Sequence, residues 1–385
     1  MGVSLYTEKR FNLTVKENYY QIINKLNEPV KVDIESLLNE ALSFGKRKED
    51  IDREIDLLKN CPGQITEHEY YYYRLWETKY PETFAGREIR FKANDICNSK
   101  SWLASASNKL LFYIILNGAD IPYPNIKALV HSAWEFPNTL AIKSFSDLLE
   151  FLYSPSNYPF FAKPVYGSHG LGAISAEKLT DGQIHLNDGS KLTPIQLIES
   201  FPFGKGYIIQ KLLKPDFKFS ELNSETIYTC RLLILNTLKS DSEGKALGPI
   251  IHRGALKIAT GQNVADNFWL PGNLLASVDV KTGKIKRAIL NTENGLVFDP
   301  IQCGYLKDFK IPGWEDACSL AIRAASVFSG LRLQSWDIAI TNEGPVALEL
   351  NCTGDFNLLQ LGQEKGVYDY VFSEHLNLCS KFETF

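Results

Sequence analysis

The stretch Ser335-Trp-Asp-Ile-Ala-Ile-Thr-Asn-Glu-Gly-Pro-Val-Ala-Leu-Glu-Leu-Asn351 decides how this chain is read. Two apolar runs flank an Asn-Glu-Gly-Pro turn, a pattern that predicts two short strands closed as a hairpin. Side chains alternate across a strand, so Glu349 and Asn351 fall on one side of the second run, and the hairpin brings Asp337 across from them. Two carboxylates and an amide make a small set of oxygen donors. Magnesium takes such donors and completes its shell with water and nucleotide phosphates. Asp337, Glu349 and Asn351 are therefore candidate magnesium ligands; the alternative is an ordinary hairpin whose acids face solvent.

Working outward, 385 residues with 44% hydrophobic and 22% charged side chains describe a soluble globular chain of two or three domains. A net charge of -4, with no long basic run and no basic amphipathic stripe, excludes a general nucleic-acid or membrane-surface binder. The expected partner is a small molecule or another protein. No run approaches the roughly 18 apolar residues of a membrane span, and the N-terminus lacks a signal-peptide apolar core, so a cytoplasmic location is expected. Seven cysteines without a CxxC pair fit reduced thiols better than a disulfide framework or a zinc site. Six histidines without ligand spacing point the same way for transition metals.

Residues 1–95 read as a helical accessory region, with apolar residues three and four apart from Val32 to Leu42 and from Arg47 to Leu58. The cluster Tyr70 to Trp76 is assigned to helix packing rather than to ligand stacking. A small α/β unit is expected over 96–150, with the strand Ile126 to Val130. A second unit, 151–215, carries the strand Phe160 to Val165, a glycine-rich loop, a hairpin at Asn187-Asp-Gly-Ser, a helix opened by Thr193-Pro194 and the strand from Tyr207 to Lys211. The remainder, 216–385, is strand-rich from Ile227 to Val280 and has one long helix, Trp314 to Val327, before the hairpin.

Several side chains outside the hairpin look chemical. Gly167, Gly170 and Gly172 give the loop after a strand the freedom to wrap backbone N–H groups around phosphate. The loop is neither a Walker A nor a dinucleotide fingerprint, because no Gly-Lys-Ser/Thr follows and a strand comes next. Lys163 sits inside an apolar strand, where an anion would explain it; an edge lysine reaching water is the alternative. Arg231 lies in another apolar run, with a donor fork suited to phosphate or carboxylate, or to a buried structural ion pair. Asp266 and Asn267 fall in a Gly/Asn-rich loop that reads equally as turn chemistry.

Taken in order, Lys109, Phe-Ala-Lys163-Pro-Val-Tyr-Gly-Ser-His-Gly-Leu-Gly, Tyr-Ile-Ile-Gln210-Lys-Leu-Leu and Asp337 through Glu349-Leu-Asn351 resemble the ATP-grasp superfamily, including its D-alanine:D-alanine ligase branch. Thr229-Cys-Arg231, Val264-Ala-Asp266-Asn267, Ile311-Pro-Gly-Trp314 and Trp336-Asp-Ile-Ala-Ile resemble most closely the sugar-transfer-associated ATP-grasp proteins, over roughly residues 100 to 365. The resemblance implies an α+β ATP-grasp fold, with 151–215 and 216–385 gripping ATP behind the N-terminal helical region. It also implies ATP and Mg2+ as cofactors. Lys109 and Lys163 would contact phosphates under a closing loop of Gly167, Ser168, His169 and Gly170, and Gln210, Lys211 and Leu213 would line the adenine hinge. Asp337, Glu349 and Asn351 would hold magnesium, Arg231 and Lys163 would serve catalysis, and Asp266, Asn267 and Lys257 would lie near the acceptor. The chain departs from the family pattern in having Gln210 at a hinge glutamate and Lys257 at an arginine. It reads Asp299-Pro-Ile-Gln-Cys-Gly where His-Pro-x-Thr-Gly stands in the family, and no ribose-binding acid is identifiable, Asp216 being a poor match.

The implied reaction joins a carboxylate to an amine through an acyl phosphate, releasing ADP, on a small-molecule, peptide or saccharide-linked substrate. An ATP-grasp kinase acting on a hydroxyl, or a nucleotide-binding protein without turnover, would use the same residues. Cys352 beside Asn351 has no placed base and is read as packing. The helical region is expected to cap the acceptor site or to mediate homodimerisation.

Overall fold

A computed structural model describes residues 33–167, 170, 172–201, 206–222, 226–237, 248–260, 263, 266–352 and 355–381. The chain divides into two compact units, Asn125–Leu212 and a second built from the described parts of Val32–Pro124 and Leu213–Phe385. Each contains a seven-stranded sheet, so the α+β class holds. No helix among the described residues is long and apolar enough to cross a membrane.

The N-terminal helices are α1 (Ile34–Ser43), α2 (Lys48–Asn60), α3 (Glu67–Tyr72), α4 (Arg87–Cys97), α5 (Leu103–Ser107) and α6 (Lys109–Gly118). Local sequence starts them: Asp33 accepts from Ser36 N, Thr66 and Glu69 form a capping box, and Asn108 accepts from Leu110 N and Leu111 N. Ile51, Ile55 and Leu58 are buried at the spacing that predicts α2. Tyr70 to Tyr73 and Trp76 are core residues, as their packing assignment requires.

Two amides stitch these helices to the C-terminal half. Asn98 Oδ1 accepts from the backbone N–H groups of Arg332 and Leu333, and its Nδ2 donates to the carbonyls of Leu333 and Cys352. Gln360 Oε1 accepts from Ala85 N at 2.8 Å and Val367 N at 3.0 Å, while its Nε2 donates to Ala85 O at 2.9 Å.

The first unit has strands β1 (Ile126–Val130), β2 (Leu140–Ile142), β3 (Phe160–Pro164), β4 (Ile174–Thr180), β5 (Gln183–Leu186), β6 (Lys191–Leu192) and β7 (Tyr207–Lys211). Their order is β2-β1-β7-β3-β4-β5-β6. Helices α7 (Phe145–Tyr153) and α8 (Pro194–Ile198) pack with Ala128, Val130, Phe160, Ala162, Tyr207 and Ile209 into one core. Alternation then assigns Lys163, Phe161, Ile208 and Gln210 to the sheet face away from those helices. β3 is an interior strand, so Lys163 is not an edge lysine.

The second unit's strands are β8 (Tyr228–Asn236), β9 (Pro249–Ile258), β10 (Leu274–Asp279), β11 (Lys284–Thr292), β12 (Gly295–Phe298), β13 (Leu333–Thr341) and β14 (Gly344–Asn351), in the antiparallel order β12-β11-β10-β9-β8-β13-β14. α9 (Trp314–Val327) fills the predicted helix. Trp336 packs with Phe112 and Phe328 on one face. Leu233, Leu235 and Leu333 pack on the other with α4, α10 (Phe356–Gln360) and α11 (Tyr370–Lys381).

The deciding hairpin differs in detail from its sequence reading. Thr341 pairs with Gly344, leaving Asn342 and Glu343 as the loop, and Pro345 lies inside β14. An edge strand accommodates a proline because one side of its ladder is free. Asp337 pairs with Glu349 but Ile338 pairs with Ala347, so Leu348 is the extra residue of a bulge and breaks the alternation inferred for this strand. The bulge turns the Leu348 carbonyl toward Tyr113, whose hydroxyl donates to it at 3.0 Å.

Candidate functional site

In the second unit, sheet register gathers residues that are far apart in sequence. Arg231 on β8 stands opposite Asp337 on β13, and Asp337 stands opposite Glu349 on β14. Directly opposed side chains share a face. Lys257 on β9 pairs with Thr229, two positions along from Arg231, and Asn351 pairs with Ser335, two positions along from Asp337, so these also join that face.

Arg231 Nε and Nη2 donate to Asp337 Oδ1 and Oδ2 at 2.5 and 2.8 Å, and Lys257 Nζ donates to Oδ2 at 3.1 Å. All three residues are buried. Burial pushes the Asp337 carboxyl up, but the Arg231 and Lys257 charges outweigh it and bring its pKa down to about 2. Burial lowers and Asp337 raises the Arg231 pKa, with a net rise. The solvent-facing hairpin is thus overturned for Asp337, and the ion-pair alternative for Arg231 is present. The pair uses two of the guanidinium's five N–H donors.

Two further contacts extend this network. Lys257 Nζ lies 3.2 Å from Asp266 Oδ2, an oxygen that is buried without an aligned hydrogen bond. Lys109, the first residue of α6, places Nζ 3.6 Å from Glu349 Oε1; the Lys109 side chain is 9% exposed and that of Glu349 32%. Asn351 Nδ2 and Ser335 Oγ are buried with no hydrogen-bond partner. Ser335 was missed from sequence, although its position two before Asp337 places it on the same face. Asn267 is engaged in turn contacts, its side chain accepting from Trp269 N and its carbonyl from Asn273 Nδ2. Leu213 opens the second unit's later segment and is half-buried. Cys352 is half-buried, and burial pushes its thiol up, which disfavours the nucleophilic thiolate.

In the first unit, Lys163 pairs with Ile208 and Phe161 with Gln210. Lys163 is half-buried and Gln210 is 2% exposed. Lys211 ends β7 exposed, its N–H bonded to Asn125 O at 2.8 Å. Gly167 and Gly170 have φ of +139° and +71°, the freedom anticipated from the sequence. Gly172 has a packing reason as well: at φ +74°, a Cβ there would meet Tyr207 Oη at 2.7 Å. Ser168 and His169 lie outside the described residues.

No curated protein matches this chain. A family model described as sugar-transfer associated ATP-grasp matches residues 88–373. Among solved structures, biotin carboxylase from Campylobacter jejuni is similar at 10% identity and TM-score 0.42, covering 74% of this chain and 49% of that one. D-alanine-D-alanine ligase from Helicobacter pylori is similar at 12% identity and TM-score 0.41, with 74% and 64% covered. N5-carboxyaminoimidazole ribonucleotide synthetase from Thermotoga maritima is similar at 12% and 0.32, with 65% and 42% covered. The chain spans less than two thirds of the length of each.

Proposed function

The chain belongs to the sugar-transfer associated ATP-grasp family, and we propose that it is an ADP-forming ligase joining a carboxylate to an amine on a small-molecule, peptide or saccharide-linked substrate. Superfamily membership supports ATP-dependent ligase-type chemistry in general. The observation that carries the reading to these residues is the register that sets Arg231, Asp337 and Glu349 side by side with Lys257 and Lys109 against them.

The donor set suits a magnesium nucleotide. Asp337 stays ionised, Glu349 is partly open, and both offer hard oxygens. Arg231 Nε occupies Asp337 Oδ1 while Arg231 Nη2 and Lys257 Nζ share Oδ2, which leaves about one of the carboxylate's roughly four acceptor positions, on Oδ1, for a metal. Asn351 would supply an amide oxygen, while its unpartnered N–H group suits a phosphate oxygen. Magnesium, held by Asp337, Glu349 and Asn351, would offset phosphate charge.

The chain's own residues would do the rest. Lys163 and Lys109 would grip phosphates beside the loop of Gly167, Ser168, His169 and Gly170, and Gln210, Lys211 and Leu213 would line the adenine edge. Arg231, fixed by Asp337, would present its remaining N–H groups to the transferring phosphoryl group and then to the oxyanion formed as the amine attacks. Lys257, Asp266 and Asn267 would border the acceptor. No enzyme nucleophile is needed, in keeping with the inert setting of Cys352.

The test is incubation with Mg-ATP, hydroxylamine and a pooled carboxylate panel, following ADP and hydroxamate together. Hydroxamate reports an intercepted acyl phosphate and supports the ligase. ADP with a stable phosphorylated hydroxyl compound and no hydroxamate would replace it with a kinase.

A further inference from the structure

Cys97, His375 and Cys379 lie together in the apolar layer beneath the second unit's sheet, each buried. Cys97 is the last residue of α4; His375 and Cys379 are four apart on α11, a spacing that puts both on one helix face. One donor atom from each lies within 4.8 Å of the other two. Cys379 Sγ is 3.5 Å from His375 Nε2, and that nitrogen is 3.0 Å from Arg332 O. The second ring nitrogen, His375 Nδ1, is buried with no hydrogen-bond partner. Leu233, Leu333 and Phe372 share the layer; the two thiols are hydrogen-bond partners of each other, and Arg332 is the charge that acts on both. The cysteine and histidine spacing had argued against a zinc site, because His375-x3-Cys379 is not a CxxC pattern and Cys97 lies far away along the chain.

We infer that Cys97, His375 and Cys379 bind a thiophilic d10 metal ion, zinc(II) or copper(I). Two sulfurs and an imidazole are the donors such ions select over oxygen. Binding exchanges the thiol protons, which leave to solvent, for metal–sulfur bonds with no change in oxidation state. Two thiolates cancel the charge of zinc(II), which leaves a neutral unit suited to an apolar layer. Zinc also seeks a fourth ligand, and the Arg332 carbonyl beside the ring is the oxygen at hand; copper(I) is satisfied by three donors. The ion would act as a brace. Arg332 N donates to Cys97 O, and the next residue, Asn98, clasps the start of β13, the strand that carries Asp337. This inference stands apart from the proposed reaction.

The full-length chain, reduced with a phosphine and stripped by chelator, is titrated with Zn2+ and with Cu+, each against a chromophoric competitor, and with Co2+ by absorbance. One equivalent of Zn2+ or Cu+, a raised thermal midpoint and a cobalt–thiolate charge-transfer band are expected. The two competition arms tell which ion is preferred. Cys97→Ser and Cys379→Ser should lose the equivalent, and Cys61→Ser should keep it. A wild-type chain that takes up neither ion, or both serine variants keeping full stoichiometry, would overturn the inference. The wild-type titration decides the matter even if a serine variant unfolds.

Discussion

The two units hold their candidate residues in opposite ways. In the second, Arg231, Lys257, Asp337 and Glu349 are fixed by register across neighbouring strands, and the buried charges already contact one another. In the first, Lys163 and Gln210 share a sheet face through strand pairing, but the loop glycines contribute backbone shape rather than side chains. One region is preorganised by charge. The other is preorganised by backbone geometry, so equal substitutions should not have equal effects.

The largest effect is expected from Asp337→Asn, which leaves the Arg231 and Lys257 charges buried without their carboxylate. Removing one partner of a buried pair costs about 3–5 kcal/mol, so chemical denaturation should show a large loss along with lost turnover. Stability within about 1 kcal/mol of wild type would mean that water screens this network. Glu349→Gln comes next and separates chemistry from folding. Its side chain is partly open, so the fold should hold, while ATP turnover should fall roughly 100-fold or more if it is a metal ligand. Unchanged rates would remove Glu349 from the set.

Acid should reach the second unit through His252, whose Nε2 meets Val367 O at 2.8 Å. Burial and the adjacent Arg253 hold its pKa down to about 4, below the ordinary 6.5. Folding therefore favours the neutral ring; stability is full above about 6.5 and is lost as pH falls toward 4, by about 3 kcal/mol. Thermal midpoints taken across that window should drop in wild type and flatten in His252→Gln, which keeps a donor for Val367 O. Matching profiles would place the acid sensitivity elsewhere. The smallest effect is expected from Lys163→Ala, which should weaken ADP binding by about 10-fold to 100-fold, the worth of a hydrogen bond to a charged group, with little change in unfolding. Unchanged affinity by calorimetry would move the phosphate grip off β3.

Much of this was legible in the sequence because its signals are local. Apolar spacing marks α1 and α2, the helix at α9 is expected from the sequence, and alternation within one hairpin puts Asp337 beside Glu349. Pairings that depend on distant strands were not legible. Arg231 meets Asp337 only because β8 and β13 are neighbours, and Lys257 reaches Asp266 only through the fold of the loop after β9. A bulge carries no composition signal of its own, so the break at Leu348 went unread. Gly172 was read for phosphate, whereas contact with Tyr207 gives it a second reason to be glycine. The helical character of residues 33–95 was visible, residues 1–32 lying outside the described ones, but the stitching through Asn98 was not, since one amide looks like any other until its partners are placed.

Gln360 imitates a peptide group. Its amide presents to Ala85 the same acceptor and donor that a neighbouring backbone unit would, so the segment before α4 is joined to the far end of the chain by a rung that no strand supplies. A rung made from a side chain can be removed by one codon without altering any backbone. Glutamate at this position would keep the acceptor and lose the donor, and leucine would lose both. Thr83 would remain as a second joint, its carbonyl accepting from Tyr368 N at 2.7 Å and its hydroxyl from Gly366 N at 2.8 Å, so loss of Gln360 would loosen this seam at one point rather than open it.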